Sequence, residues 1–376
     1  MHMRRVIVWV SVLLVTAFPV AAAEPPTALS SASAVLYEPT TGRVLFEKDA
    51  DTKRPMASTT KLMTALIAAE RLDTESVVTV PTKAVLVEGS AMGLRGGDEL
   101  TVRDLLVGLL LSSGNDAANA LALLTSESLP AFSVLMNAKA AELGMERSVF
   151  VTPSGLDEGE HGATARELAL LGSAVLKQPL LSEICATKHG TVHVNGKAVS
   201  FKNHNRLLWL YEDAVGLKTG FTKKSGKCLV SAAERDGVTL VAATLNGGDY
   251  WNDHIALYEY GFSLVEYAAL PIPELPEVPV CGGEVDRVSV ALPSTPQAVL
   301  LRSEKELVET EFRLPAFLWA PIQQGDTVGE VLYHINGRVV ATVPLVATEA
   351  VEPRKALTMM EKWSKYFSLL VDVVLR

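Results

Sequence analysis

The stretch PMASTTKLMTALIAA, residues 55–69, predicts the helix from which the rest of the fold can be interpreted. Pro55 precedes a helix that is expected to begin near Ser58. Ser58 and Lys61 are three residues apart, so one helical turn brings their side chains to the same face. The stretch therefore predicts a packed helix that carries a serine and a lysine together at its N-terminus. Its apolar face is formed by residues at helical spacing, Leu62, Leu66 and Ala69.

Length and composition predict a packed protein of two domains. The 376 residues exceed the usual size of one domain, and 48% are hydrophobic while 20% are charged. The net charge of −9 argues against a nucleic-acid-binding protein, because such proteins present a basic surface. An odd number of widely spaced cysteines argues against a disulfide framework; they are Cys185, Cys228 and Cys281.

Residues 1–23 are predicted to be an export signal. A basic start, an apolar run and small residues before a cleavage site follow one another at 4–5, 6–18 and 21–23. An uncleaved N-terminal anchor is the alternative, although the run is short for a membrane span. Cleavage leaves 32 of the 34 basic residues against 43 acidic residues, which gives the mature protein a net charge of −11.

The C-terminal segment, residues 351–376, is predicted to be an amphipathic helix that contacts a membrane surface. From Arg354 onward it has five basic and two acidic residues, a net charge of +3 on an acidic protein. Such a helix can lie in the membrane interface, whereas a helix docked on its own core is the alternative. One face collects the apolar side chains of Met359, Met360, Trp363, Tyr366, Phe367, Leu370, Val371, Val373 and Val374.

Residues 24–265 predict an α/β layered domain. Helical segments separate strand-like segments, so the strands must pair over long distances in the chain. One predicted helix begins near Ser58. The other predicted helices are Leu105–Leu111, Ala117–Leu124, Leu129–Leu143 and Asp253–Leu264. Its predicted strands are Ala32–Tyr37, Arg43–Glu47, Thr191–Val194, Cys228–Ala233 and Thr239–Leu245.

A proline-rich linker, residues 266–280, is predicted to lead into a small β domain at 281–350. Asn336-Gly337 predicts a tight hairpin turn within that domain. The predicted strands are Arg287–Ala291, Ala298–Arg302, Glu309–Arg313, Thr327–His334 and Arg338–Leu345.

Three short motifs could carry chemistry, and each alone also has a structural explanation. Ser58 becomes a nucleophile if Lys61 has a lowered pKa and takes its proton, whereas a capping serine beside a solvated lysine is the alternative. Ser113-Gly114-Asn115 lies in a polar turn between two apolar helices, where it serves a site or caps the next helix. Lys218-Thr219-Gly220 is typical of a strand that approaches a ligand closely, or of an exposed lysine beside a turn.

Together, the order S-x-x-K, S-x-N, K-T-G on an exported protein resembles the low-molecular-mass penicillin-binding proteins, which are serine-type D-alanyl-D-alanine carboxypeptidases. The resemblance covers nearly the whole mature chain. It implies the α/β (α+β) penicillin-binding-protein/β-lactamase-like transpeptidase fold, in which an antiparallel sheet with helices is followed by a small all-β domain and the C-terminal amphipathic helix. It also implies a peripheral position on the outer face of the bacterial cytoplasmic membrane. The blocks that carry it are Ala57–Thr64, Ser113–Ala117, Pro153–Leu156 and Gly216–Thr222.

The resemblance implies that the protein trims peptidoglycan stem peptides that end in D-Ala-D-Ala, and that β-lactams inhibit it. Ser58 would attack the carbonyl of the penultimate D-Ala, and Lys61 would act as the general base and later activate water. Ser113 and Lys218 would relay a proton to the departing amine. Neither a metal nor an organic cofactor is implied.

The same resemblance implies the substrate-binding groups. Asn115 would hydrogen-bond the substrate backbone, and Thr219, next to Gly220, would help to hold the terminal carboxylate. The backbone N–H groups of Ser58 and Phe221 would form the oxyanion hole. Some relatives place an arginine after a Gly-Gly pair as a carboxylate partner, and this chain has none after Gly247-Gly248. We therefore predict that His254 takes that role.

Two further patterns are interpreted as structural. Cys185, His189 and His193 have spacing similar to a metal cluster, but strand-like residues around Gly190 would not align all three. Glu167 faintly resembles the deacylating glutamate of class A β-lactamases, and is predicted instead to belong to a helix that starts after Thr164.

Two alternatives to the carboxypeptidase remain at this point. A β-lactamase shares the acylation machinery, but Ser-Gly-Asn in place of Ser-Asp-Asn and the extra β domain argue against it. A non-catalytic peptidoglycan-binding protein could use the same cleft, although all the catalytic side chains are present.

Overall fold

The computed structural model describes residues 24–355, 359–360 and 363–364. The predicted export signal, residues 1–23, lies outside them, and so does most of the predicted terminal helix at 351–376. The described residues of that segment at 359–360 and 363–364 are helical and exposed.

The helices and strands follow one another along the described chain in a mixed order. The helices are α1 (Lys61–Arg71), α2 (Val102–Leu111), α3 (Asn115–Thr125), α4 (Leu129–Glu142), α5 (Ala165–Leu176), α6 (Pro179–Ala186), α7 (Leu207–Leu210) and α8 (Tyr250–Leu264). The strands are β1 (Ser33–Glu38), β2 (Arg43–Lys48), β3 (Val77–Thr79), β4 (Glu99–Thr101), β5 (His189–Val194), β6 (Lys197–Lys202), β7 (Ala214–Thr222), β8 (Gly226–Arg235), β9 (Val238–Gly247), β10 (Val265–Ala269), β11 (Glu277–Cys281), β12 (Arg287–Ala291), β13 (Gln297–Leu301), β14 (Glu309–Arg313), β15 (Leu318–Trp319), β16 (Thr327–Ile335) and β17 (Arg338–Ala347).

A five-stranded antiparallel sheet in the order β2-β1-β9-β8-β7 is the centre of the first part of the chain. The N-terminal hairpin β1–β2 joins strands that lie after seven intervening helices, so the predicted long-range pairing is confirmed. This topology puts β7 at an edge of the sheet.

The two faces of this sheet are covered by different helices. A large apolar core lies between one face and α1 to α6, and it includes Val230 of β8. The other face packs against α8, with Tyr258 at 0% exposure. Because side chains alternate along a strand, Ser231 points away from that large core and toward α8.

The second part of the chain has its own apolar core and a six-stranded sheet in the order β14-β16-β17-β12-β11-β15. Two strands, β10 and β11, occupy the ends of the predicted linker 266–280. In β11 the valines Val278 and Val280 alternate with more exposed residues, and the prolines hide this strand pattern in the sequence. Asn336-Gly337 joins β16 and β17 with φ values of 50° and 76°, which confirms the predicted turn.

None of the described helices is both long and apolar enough to cross a membrane by itself. Two sharply bent pairs, α3 with α4 at 86° and α5 with α6 at 105°, pass such a test on length and composition when each pair is taken together.

Candidate active site

Ser58 and Lys61 lie together at the start of α1, where a 3₁₀ turn at Ala57–Thr60 leads into the helix. Lys61 is completely buried, and its Nζ lies 2.9 Å from Ser58 Oγ. Two carbonyl oxygens lie closer to this nitrogen than Ser58 Oγ does. Asn115 Oδ1 is 2.7 Å away, and the backbone oxygen of Ser154 is 2.6 Å away.

The surroundings of Lys61 favour its neutral form. Burial is the largest cause of a pKa well below the ordinary value of 10.5, and the nearby charge of Lys218 lowers the pKa further, against the opposing charge of Asp116. A neutral amine has two N–H donors, and the two carbonyl oxygens accept both. Its lone pair then faces Ser58 Oγ, which is the geometry that a general base requires.

The turn between α2 and α3 holds Ser113, and Asn115, the first residue of α3, reaches this lysine. Asn115 is 3% exposed, and its Nδ2 donates to the Glu88 carbonyl at 2.6 Å, which fixes the orientation of the amide. Ser113 is 6% exposed and has a positive φ of 61°. Asp116, which follows Asn115, accepts hydrogen bonds from backbone N–H groups of the loop at 92–94 and so anchors that loop beside the turn.

Strand β7 forms the opposite wall of the site. Lys218 is 1% exposed, its Nζ donates to the Thr219 carbonyl at 3.1 Å, and burial lowers its pKa to about 8. A Cβ on Gly220 would lie 3.0 Å from Ser58 N and 2.9 Å from the Met56 oxygen. Glycine therefore allows the strand backbone to approach the nucleophile closely. The side chain of Phe221 is 65% exposed.

The segment 151–161 contributes groups that the sequence motifs did not identify. The Ser154 carbonyl accepts from Lys61, but a backbone oxygen leaves no residue-type signal in a sequence. Gly155, with φ 85°, packs so closely that an added Cβ would lie 2.0 Å from the Ala57 oxygen. The only signal available was the block Pro153–Leu156, which the family resemblance included without assigning it a role.

The geometry corrects the prediction for His254. Its Nδ1 lies 2.5 Å from Ser231 Oγ and its Nε2 lies 2.9 Å from Thr244 Oγ1, within the core beneath α8. Lys218 pairs with Val230, the neighbour of Ser231, so Lys218 and His254 lie on opposite faces of the sheet. His254 is fully buried, and burial lowers its pKa to about 3, so it is neutral and cannot reach a substrate in the cleft.

The structure also shows where the predicted structural residues lie, namely the group Cys185, His189 and His193, and Glu167. Cys185 is buried in α6, whereas His189 and His193 are exposed on β5, and the described residues contain no grouping of His, Cys, Asp or Glu suited to a metal ion. Glu167 lies in the first turn of α5 after the N-cap Thr164, as predicted, and its carboxylate accepts from Arg147 N at 2.8 Å.

Comparisons with known proteins agree with this fold. Residues 19–249 match the D-alanyl-D-alanine carboxypeptidase family, and residues 274–353 match the C-terminal domain of penicillin-binding protein 5. The D-alanyl-D-alanine carboxypeptidase DacC of Escherichia coli is 31% identical over 336 residues, which are 85% of this chain and 83% of that protein. DacF of Bacillus subtilis, also a D-alanyl-D-alanine carboxypeptidase, is 29% identical over 89% of this chain and 90% of its own.

A solved structure agrees over a similar extent. Penicillin-binding protein 5 from Haemophilus influenzae is 26% identical and superposes with a TM-score of 0.65, over 88% of this chain and all of that one. The predicted antiparallel sheet with helices, followed by an all-β domain, is therefore confirmed, whereas the predicted C-terminal helix lies mostly outside the described residues.

The placement of His254 predicts a purely structural effect of its replacement. His254→Asn should lower the melting temperature, because two buried hydroxyl groups lose a partner. The release of D-Ala per folded molecule from a peptide ending in D-Ala-D-Ala should remain within about twofold, since the ring lies behind the sheet. Thermal unfolding and a D-Ala assay on the same samples check this; a large loss of activity without a loss of stability would contradict it.

Proposed function

The chain belongs to the D-alanyl-D-alanine carboxypeptidase family, and we propose that the cluster around Ser58 is where it removes the terminal D-Ala of peptidoglycan stem peptides. The protein is a serine-type carboxypeptidase of the low-molecular-mass penicillin-binding proteins. Neither a β-lactamase nor a non-catalytic binding protein is favoured by its relatives. The observation that carries the site assignment is the distance of 2.9 Å between Ser58 Oγ and a completely buried Lys61 Nζ.

Acylation begins with proton transfer from Ser58 to Lys61. Ser58 Oγ attacks the carbonyl carbon of the penultimate D-Ala while its proton moves to the lone pair of Lys61 Nζ. The backbone N–H groups of Ser58 and Phe221 are proposed to stabilise the developing oxyanion, and the close approach of Gly220 to Ser58 N supports their convergence.

The leaving group needs a proton, and the other wall of the site can supply one. We assign Ser113 and Lys218 to the relay of the proton held by Lys61 to the departing D-Ala amine as the C–N bond breaks, which returns Lys61 to its neutral form. The hydrogen bond from Asn115 to the Glu88 carbonyl holds the amide in an orientation suited to bind the substrate backbone. Thr219 is assigned to the terminal carboxylate of the substrate. Water, activated by Lys61, then hydrolyses the ester and regenerates Ser58.

Ser58→Ala should abolish the release of D-Ala from such a peptide and the covalent labelling by a fluorescent penicillin, since both reactions need the Oγ nucleophile. The protein without residues 1–23 should show D-Ala release and a long-lived penicillin adduct. Ser173→Ala is a matched control, because that hydroxyl bonds only within α5, to the Ala169 carbonyl at 2.7 Å. Rapid penicillin hydrolysis would point to a β-lactamase, and activity of Ser58→Ala would overturn the nucleophile assignment.

The pKa of Lys218 predicts an alkaline limit to activity. Lys218 is cationic below its pKa of about 8 and neutral above it, so its proton is lost as the pH rises. kcat/KM for D-Ala release, which reports the free enzyme, should fall about tenfold per pH unit above this value. A value that stays constant from pH 8 to pH 10 would show that the cationic form of Lys218 is not required.

The domain limits and the cellular location are further parts of the proposal. We assign residues 24–265 to the catalytic domain, 266–280 to a linker and 281–350 to the β domain. The named relatives are bacterial enzymes. Export by residues 1–23 and the net charge of +3 after Arg354 support a peripheral position on the outer face of the cytoplasmic membrane.

Removal of residues 354–376 should release the protein from vesicles that contain anionic phospholipid, while D-Ala release from a soluble peptide continues. Co-sedimentation of the proteins lacking residues 1–23, with and without this segment, measures the effect. Trp363→Ser, which removes an exposed aromatic side chain from the proposed membrane face, should weaken binding without changing net charge. Equal binding of the truncated protein would contradict the proposed role of the tail.

A further inference from the structure

A buried histidine that no motif includes is hydrogen-bonded to the turn that carries Ser58. His161 is 4% exposed, and its Nε2 lies 2.8 Å from Thr60 Oγ1. The Thr60 hydroxyl donates its single proton to the Ala57 carbonyl at 2.8 Å. His161 Nε2 must therefore carry a proton and donate it to Thr60 Oγ1.

The other ring nitrogen faces a donor. His161 Nδ1 accepts a hydrogen bond from the backbone N–H of Val151 at 2.9 Å. Both nitrogens thus have fixed and opposite roles, which selects one neutral tautomer. Burial lowers the pKa of His161 to about 4, against the opposing charge of Asp157. The ring therefore stays neutral at neutral pH.

The turn that receives this chain of hydrogen bonds has an unusual backbone. Ala57 has a positive φ of 49°, a sparsely populated conformation for a residue with a Cβ. It immediately precedes Ser58, so its conformation sets the direction in which the Ser58 backbone N–H and side chain point. Its carbonyl is confined between the Thr60 hydroxyl and Gly155.

The same ring also holds the segment that orients Lys61. Val151, which donates to Nδ1, lies three residues before Ser154, whose carbonyl accepts from Lys61 Nζ. Between them, the Pro153 carbonyl accepts a hydrogen bond of 2.7 Å from the Thr64 hydroxyl of α1. His161 therefore links the turn of the nucleophile to the segment that binds the base.

We propose that His161 is a positioning residue for acylation, acting through Thr60 to hold the Ala57 carbonyl and thereby the direction of Ser58 toward Lys61. It touches neither the substrate nor the reacting atoms. The proposal rests on the roles given above to Ser58 and Lys61.

Two matched pairs of variants separate this role from simple packing. Thr60→Val removes the hydroxyl at nearly constant volume, whereas Thr60→Ser keeps it. His161→Asn keeps an acceptor near the Nδ1 position but loses the group that reaches Thr60, whereas His161→Gln keeps a donor near the Nε2 position. In the protein lacking residues 1–23, kcat/KM for D-Ala release from a peptide ending in D-Ala-D-Ala is measured for each, together with thermal unfolding.

Thr60→Val and His161→Asn should each lower kcat/KM by about 10- to 100-fold, because a small misplacement of reacting groups has effects of that size. Thr60→Ser and His161→Gln should stay within about threefold of the parent, and the double variant Thr60→Val/His161→Asn should be no worse than either single variant, since the two act in one chain. His254→Asn is the control for the loss of a buried histidine and should keep its kcat/KM.

Several outcomes would overturn the proposal. These are a parental kcat/KM for Thr60→Val, a loss for His161→Gln as large as for His161→Asn, or additive losses in the double variant. If the His161 variants do not fold, the comparison of Thr60→Val with Thr60→Ser decides alone. Failure of the parent to release D-Ala, or release by Ser58→Ala, would instead contradict the proposed function and is distinguished by those two proteins.

Discussion

The burial of Lys61 without a carboxylate partner is the constraint on which the site depends. A buried ammonium group is costly unless it is paired, and among the described residues no acidic group forms an ion pair with it. This cost favours loss of the proton from Lys61, and two carbonyl acceptors can satisfy the two N–H groups of the neutral amine. A second buried cation, Lys218, adds to the same effect. The arrangement thus favours an amine whose lone pair is available to a serine hydroxyl.

The fold satisfies this constraint by bringing four separate stretches of chain to one point. The 3₁₀ turn and the start of α1 supply Ser58 and Lys61, and the start of α3 supplies Asn115. The segment before α5 supplies the Ser154 carbonyl, and strand β7 supplies Lys218. The edge position of β7 leaves its outer backbone free of a further strand in the sheet, and Gly220 lets it approach Ser58. None of the described residues of the all-β part is among the hydrogen-bond partners of Lys61.

The sequence predicted the parts of this arrangement that depend on local spacing. Ser58 and Lys61 meet because three residues make about one helical turn, and the helices on either side of Ser113 were visible from their apolar runs. Other parts depend on tertiary placement. His254 lies on the face of the sheet against which α8 packs, and no local sequence pattern shows which face that is. The Ser154 carbonyl and the link from His161 to Thr60 involve backbone atoms and contacts between distant residues, so no motif reports them.

Direct titration of Lys61 tests the central claim most closely. The protein is labelled with ¹⁵N at lysine Nζ, the Lys61 signal is assigned by its loss in Lys61→Arg, and its chemical shift is followed against pH. We expect the Lys61 signal to change from ammonium to amine at a pH well below that of the surface lysines, which titrate near about 10.4. A Lys61 signal that titrates together with the surface lysines would contradict the account, because a protonated lysine cannot accept the proton of Ser58.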